Sequence, residues 1–552
     1  MKDFGQISLF VGGTIWMGPG QQVESALLVV DGRITAIGEA AIQEAAGFES
    51  DERARACETI DLEGGFLMPS FGEGHAHPLF GGLEDCGPRV RACQSVAEIV
   101  AEVRRYAEAN PQKEWILGAS YDGSFAPGGL FDARWLDEAV SDRPVVLRAW
   151  DYHTVWCNSR ALELAGIDTD TPEPQLGEIP RRADGSPLGT LREWGAIDLV
   201  NAVSPGHSLE DRIDAVARGT AHFAALGVTW VQDAWVEPDD VEVYLEAAAR
   251  GGLSTRVNLA LLADPRTFPG SLPAMIEARA RVKQLGNPLL TANSVKFFAD
   301  GVVENETGAL LEPYCSGMHD HGMLLWDPQH LAESIAAVDA VGLQPHIHAI
   351  GDRAVRCALD AIEHAERVND AADRRPVIAH VQLANKRDLD RFKRLGVIAT
   401  MQPLWAQLDS LMTILTEPRL GPERTDLQYR MRTLAQTGAT LAFGSDWPCS
   451  SAAPLDGLAI AISRTTPEGE PVGGWMPEER LDPETALAAY SSGVATQAFA
   501  DHTDAPWGQI ATGASADLVW LAGDPRTTIP ADVPAIGIRA TYLAGTPTYR
   551  AR

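Results

Sequence analysis

Histidine, lysine and aspartate recur in this chain where short apolar runs end. The first case is Phe71-Gly72-Glu73-Gly74-His75-Ala76-His77-Pro78, which follows Gly65-Phe66-Leu67-Met68-Pro69. In a β-strand, residues i and i+2 share a face. A strand ending in His75-x-His77 therefore points two imidazoles the same way, an arrangement suited to a divalent transition metal. Alone, the pair also fits two half-buried histidines beside a turn.

Other runs supply matching groups. Lys296 lies in the apolar stretch Ser294-Val295-Lys296-Phe297-Phe298-Ala299-Asp300. A free ammonium is costly to bury there. It requires a partner, for which Asp300 has the right strand parity, or a chemical change. Capture of carbon dioxide converts the amine to an anionic carbamate able to bridge two metals. In Pro345-His346-Ile347-His348, the histidine nearer the strand end, His348, is the ligand candidate and His346 a packed or supporting residue. His380 ends Val377-Ile378-Ala379-His380, and Asp446 follows Phe443-Gly444-Ser445. An aspartate at that place can hold metal and exchange a proton with water, or simply close an Asx-turn.

These residues must be delivered by strand ends. The middle of the chain alternates strand and helix patterns, which predicts an α/β fold with a parallel sheet. The strands expected are 66–74, 228–233, 255–262, 294–299, 343–348, 376–380, 397–402 and 440–445, with a helix over 352–366 that Asp352 caps. Eight such units predict a (β/α)8 TIM-like barrel, whose chemistry sits at the C-terminal strand ends. Both chain ends read as short strands, including a hairpin about Asp31-Gly32, and together predict one β-sandwich. The expected organisation is residues 1–65 with 505–552 as sandwich, 66–504 as barrel and 83–205 as an insertion subdomain on the catalytic face. Within the insertion, a helix over 97–109 and a strand over 144–149 are expected. His153, Tyr152 and Glu193 there are candidates to touch substrate, as are Asp300, Trp405 and Trp447 after barrel strands.

The ordered set His-x-His, Lys, His, His, Asp resembles the amidohydrolase superfamily, and finer stretches resemble its YtcJ-like branch, which includes N-substituted formamide deformylases. Those stretches are Leu67–His77, Ala149–Ser159, Asp184–Glu193, Val295–Gly301, His348–Ala354, Phe443–Pro448 and Ala516–Val519. Two positions depart from the pattern: Ala379, where the family usually has Glu before the histidine, and Leu188, usually Thr. The resemblance implies two divalent metal ions, zinc by default. His75, His77 and Asp446 would hold one, His348 and His380 the other, with carbamylated Lys296 as bridge. It further implies hydrolysis of a carbon–nitrogen bond other than a peptide bond, through a hydroxide between the metals, with Asp446 and Lys296 as catalytic residues. A mononuclear deaminase is the rival within the superfamily, but it has no use for a bridging lysine. A non-catalytic scaffold is the rival outside it, but it would not keep a full ligand set.

The formal net charge is −31, from 45 Lys and Arg against 76 Asp and Glu over 552 residues, so nucleic acid and anionic membrane are excluded as partners. The expected partners are a small-molecule amide-type substrate and a second copy of the chain in a homodimer. Met1-Lys2-Asp3-Phe4-Gly5 lacks the plan of a signal peptide, and no apolar run has the length of a membrane span. Seven scattered cysteines without a Cys-x-x-Cys pair fit reduced thiols, so a cytoplasmic location is expected.

Overall fold

The computed structural model describes residues 7–50, 57–315 and 320–552. The Met1–Gly5 stretch lies outside them. Strands from the two chain ends form one sheet. Ile7–Ile15 pairs with Glu24–Val30, which turns into Arg33–Ile37 through Asp31 (φ 51°) and Gly32 (φ 78°). Two successive left-handed residues make the primed turn that suits the twist of a hairpin. At the other end, Leu518–Leu521, Ile538–Leu543 and Thr546–Arg550 form an antiparallel run. Phe66–Pro69 joins the two groups, parallel to Ile7–Ile15 and antiparallel to Leu518–Leu521.

This sheet curls back on itself. Phe10 and Tyr542 lie on strands three positions apart, about 14 Å in a flat sheet, yet their ring centres are 5.2 Å apart. Ala516 N also donates to Gly32 O at 2.8 Å across the fold. The two halves enclose Phe10, Leu27, Leu67, Leu518 and Tyr542 as a common core, which makes the sandwich.

The barrel has eight parallel strands: β1 Phe71–Ala76, β2 Val228–Val236, β3 Arg256–Leu262, β4 Leu290–Phe298, β5 Gln344–Ala349, β6 Val377–His380, β7 Ile398–Met401 and β8 Thr440–Phe443. They pair in chain order from β1 to β8. The barrel closes between β8 and β1 at their C-terminal ends, where Asp446 N donates to His75 O and His77 N to Trp447 O, each at 2.7 Å. Gly444 permits that approach: a Cβ there would lie 2.5 Å from Glu73 Oε1 and 2.6 Å from His75 N. Every residue of β1, β2, β5, β6 and β7 is buried, as expected of parallel strands covered on both faces.

Two details differ from expectation. The run read as one strand over 66–74 breaks at Ser70: its first part belongs to the terminal sheet, and the barrel begins at Phe71. Apolar character reports burial, and both sheets bury this run. The helix after β5 spans Asp352–Val368, but Gly351 is its cap residue. The Asp352 carboxylate instead accepts from Leu311 N at 2.9 Å, holding the preceding long loop. The insertion has its own mixed sheet, Ile116–Tyr121, Val145–Ala149, Thr154–Cys157 and Thr190–Arg192, together with the helix Val96–Ala109. Among the described residues, no helix is long and apolar enough to cross a membrane.

Candidate metal centre

The end of β1 and the turn after β8 bring three ligands together. Asp446 Oδ1 lies 2.9 Å from His77 Nε2 and 3.5 Å from His75 Nε2. The ligating atoms of this trio all fall within 4.8 Å of one another, and all three residues are buried. Groups behind the rings fix which nitrogen faces the trio. His75 Nδ1 is 2.7 Å from His346 Nε2, and His77 Nδ1 faces Asp233 Oδ1 at 3.8 Å. Such supporting partners orient metal-binding imidazoles.

β5 and β6 contribute the next pair. His348 Nε2 donates to Gly301 O at 3.0 Å, which leaves Nδ1 with its lone pair. His380 Nδ1 donates to Gln402 Oε1 at 2.9 Å, which leaves Nε2. The His380 ring centre is 4.7 Å from that of His75 and 4.6 Å from that of His348, so the imidazoles form one cluster. His380 and Asp446 hold φ of 73° and 55°. Left-handed backbone at non-glycine residues costs about 1–3 kcal/mol and gathers at functional sites.

Lys296 lies beside the cluster. It is fully buried, with Nζ 3.5 Å from His75 Nε2 and 4.2 Å from the centre of the Phe298 ring. Asp300 is not its partner. The Asp300 oxygens accept from Ala309 N, Ile350 N and Gly351 N at 2.8–3.0 Å, and the carboxylate organises the loops after β4 and β5. Burial pushes the Lys296 amine down to about 7 and the Asp300 carboxyl up to about 7. Burial also drives His75 and His348 well below the usual histidine value and His380 to about 3. These three imidazoles are thus neutral, the form that binds metal, whereas at His77 burial is outweighed by Asp233 and Asp446, which raise it above the usual histidine value. Burial alone would raise Asp446, but His77 beside it holds the carboxyl below its ordinary value. Neutral imidazoles, one carboxylate and a buried amine without a counter-ion are a donor set that fits divalent metal.

Above the cluster is a cavity of about 310 Å³. His153, His348, His380, Trp405 and Asp446 line it, together with Arg91, Trp150, Glu304, Asp409 and Tyr429. His153 reaches it from the insertion, its Nδ1 2.8 Å from Glu193 Oε2. Trp405 lies flat against His380, with ring centres 5.4 Å apart and planes within 3°. Asp300 and Trp447 do not line this cavity. The Trp447 ring stacks on His222 at 4.9 Å and packs on Phe223 at 5.3 Å, away from the ligands. The left-handed turn at Asp446 sends successive side chains in different directions, which spacing alone does not reveal.

Sequence reasoning passed over Asp233, Glu73 and Gln402. Asp233 and Gln402 close strands that were expected, so their position was a usable signal. Glu73 is buried beneath the trio, where it accepts from His75 N and Ser445 N at 3.2 and 2.8 Å, and burial pushes it up to about 8. Arg91, whose importance depends on a partner in space, had no local signal.

A family model described as the amidohydrolase family matches residues 58–549. The chain belongs to that family. This amidohydrolase is 29% identical to the protein LONG AFTER FAR-RED 3 of Arabidopsis thaliana, over 95% of the chain and 88% of the relative. It is 27% identical to the putative amidohydrolase YtcJ of Bacillus subtilis, over 89% of the chain and 90% of the relative. To the N-substituted formamide deformylase of Arthrobacter pascens it is 25% identical, over 95% and 94%. A solved metal-dependent hydrolase from Pyrococcus furiosus superposes with a TM-score of 0.70 at 25% identity, covering 94% of this chain and all of the other. The amidohydrolase thus belongs to a metal-dependent superfamily, and its barrel is the superfamily's fold.

Proposed function

We propose that this amidohydrolase hydrolyses a carbon–nitrogen bond in an amide or N-substituted formamide. The observation that carries the reading is the convergence of His75, His77 and Asp446, with Lys296 beside His75, next to a cavity that Asp446, His348 and His380 line. In this reading His75, His77 and Asp446 would hold one divalent metal and His348 and His380 a second, and Lys296, as a carbamate, would supply a further carboxylate ligand. Zinc is the metal these donors favour. Metal bound there would supply an acidified water and a Lewis acid toward the substrate carbonyl.

The chain's own groups do the rest. A neutral Lys296 amine is the form that adds carbon dioxide: nitrogen bonds to carbon, one proton leaves, and a carboxylate results. The ionised Asp446 carboxylate accepts a proton from the attacking water and returns it to the leaving nitrogen. Trp405 and Trp150 offer apolar faces for an aryl or alkyl group, and His153, held by Glu193, presents its other nitrogen toward the cavity. The similarity to a formamide deformylase supports the same bond class.

The test is a panel of N-aryl and N-alkyl formamides, N-acyl amino acids, cyclic ureas and aminated heterocycles, assayed with zinc-loaded protein. Release of amine and carboxylate from the amides is expected. Ammonia released only from the heterocycles would move the activity to deamination.

A further inference from the structure

A second cavity, of about 300 Å³, lies between the insertion and β2. The Glu84–Arg91 ion pair separates it from the metal cavity: Arg91 lines one and Glu84 the other. Its walls are largely apolar, with Phe80, Leu83, Leu117, Val146, Val155 and Trp235. The polar residues in the walls are Glu84, Tyr152, Asn201, Ser204, His207, Glu237 and Arg148, the last on the insertion strand Val145–Ala149.

Arg148 is a cation without a counter-ion. Its Nη1 donates to Tyr152 O at 3.0 Å, and its guanidinium lies 5.6 Å from the Tyr152 ring centre. Among the described residues, no carboxylate forms an ion pair with it, in a chain whose acids outnumber its bases 76 to 45. Burial pushes the group below arginine's usual value. The two acids in the same walls are spoken for. Glu84 accepts from both Arg91 nitrogens at 2.8 and 2.5 Å, from Ser120 Oγ at 2.5 Å and from Tyr152 OH at 3.4 Å. Glu237 accepts from Trp235 Nε1 at 2.9 Å, and burial raises its carboxyl.

We propose that this cavity binds a small organic monocarboxylate with an aryl or alkyl body, its carboxylate paired with Arg148. A guanidinium carries five N–H donors in a planar fork that matches a carboxylate, and the single bond to Tyr152 O leaves the fork largely unused. A partly buried cation gains from an anion that replaces lost water. A single negative charge is selected, because Glu84 and Glu237 in the walls oppose a dianion such as phosphate. The apolar walls select the body. This binding is independent of the reaction at the metal site, although an amide hydrolase would release an acid of this class. The cavity also touches that site: Phe80 lies between Tyr152 and His77, with ring centres 5.7 and 5.6 Å away.

The experiment is isothermal titration of the metal-loaded, full-length protein with 3-phenylpropionate and with its neutral counterpart 3-phenylpropan-1-ol. Saturable one-to-one binding is expected, tighter for the acid by about 10-fold or more, the usual worth of a hydrogen-bonded charge. Arg148→Met should remove that preference. Ser204→Trp, which places bulk at the rim without touching Arg148, should block both ligands, and it decides the matter if Arg148→Met does not fold. Trp405→Ala, in the other cavity, should leave acid affinity intact. Equal affinity for acid and alcohol, or acid binding retained in a folded Arg148→Met, would overturn the proposal. So would loss of acid binding on Trp405→Ala with Ser204→Trp unaffected, which would put the acid in the metal cavity.

Discussion

On the Arg91 side of the Glu84–Arg91 pair, a crowded set of imidazoles, an amine and carboxylates faces one point. On the Glu84 side, one guanidinium without an ion-pair partner among the described residues faces a mostly apolar space. Both cavities bury charge, by different means. Around the candidate metal ligands, His75, His348 and His380 each have a hydrogen-bonding partner behind the ring, so these three are neutral and oriented before anything binds. Arg148 cannot become neutral at ordinary pH, so its compensation has to come from outside. Titratable ligands thus prepare a site for a cation, and a permanent cation prepares one for an anion.

The largest expected effect comes from removing the amine under the ligands. Lys296→Ala should lose bound metal and nearly all amide hydrolysis, measured by metal content and turnover, while 3-phenylpropionate titration at Arg148 stays as in the parent. A small carboxylic acid that fills the gap should restore part of the activity. An unmodified Lys296 amine in a metal-loaded, active crystal would refute the carbamate. Next, Asp446→Asn should lower kcat by about 100-fold or more with metal retained, because the amide oxygen remains but the proton acceptor is gone. Near-normal turnover in loaded protein would end that role.

Glu84→Gln strikes the boundary itself. It should destabilise the fold by about 1–2 kcal/mol, the scale of part-buried charged hydrogen bonds, read by denaturant titration. It should also shift ligand affinity in both cavities, where Arg148→Met and Trp405→Ala each shift one. A change confined to one side would mean the cavities are independent.

The smallest effect concerns pH. Glu73 is raised in the folded chain from 4.5 to about 8. A carboxyl raised on folding stabilises fully below 4.5, and that contribution is lost as pH climbs through 8. Glu73→Gln mimics the protonated form, so its Tm should fall less than the parent's between about pH 5.5 and about pH 8. Parallel Tm profiles would remove Glu73 from the account.

Much of the barrel was legible because parallel strands buried on both faces leave continuous apolar runs, and their ends carried His75, His77, Lys296, His348, His380 and Asp446. Which sheet a run joins was not legible: Phe66–Pro69 and Phe71–Ala76 look alike in composition. Side-chain direction past a strand end was equally hidden. Trp405 and Trp447 both follow barrel strands, yet one lies on His380 and the other on His222. Asp300 shares strand parity with Lys296, but three backbone N–H groups claim its carboxylate. Arg148 and the Glu84–Arg91 boundary depend on contacts between segments with no shared local pattern.

The seat of Phe66–Pro69 has a consequence for synthesis. This segment, one residue ahead of the strand bearing His75 and His77, pairs with Leu518–Leu521 about 450 positions later. Ser70 N donates to Asp517 O at 2.9 Å at the same seam. A chain emerging from the ribosome carries its first two candidate metal ligands from the outset, but the sheet that anchors the segment ahead of them is completed only near the end of translation. Until then that strand edge is open, and pairings so distant in sequence are slow to form. The candidate metal centre is therefore a late product of folding, and its assembly would report that the far end of the chain has arrived.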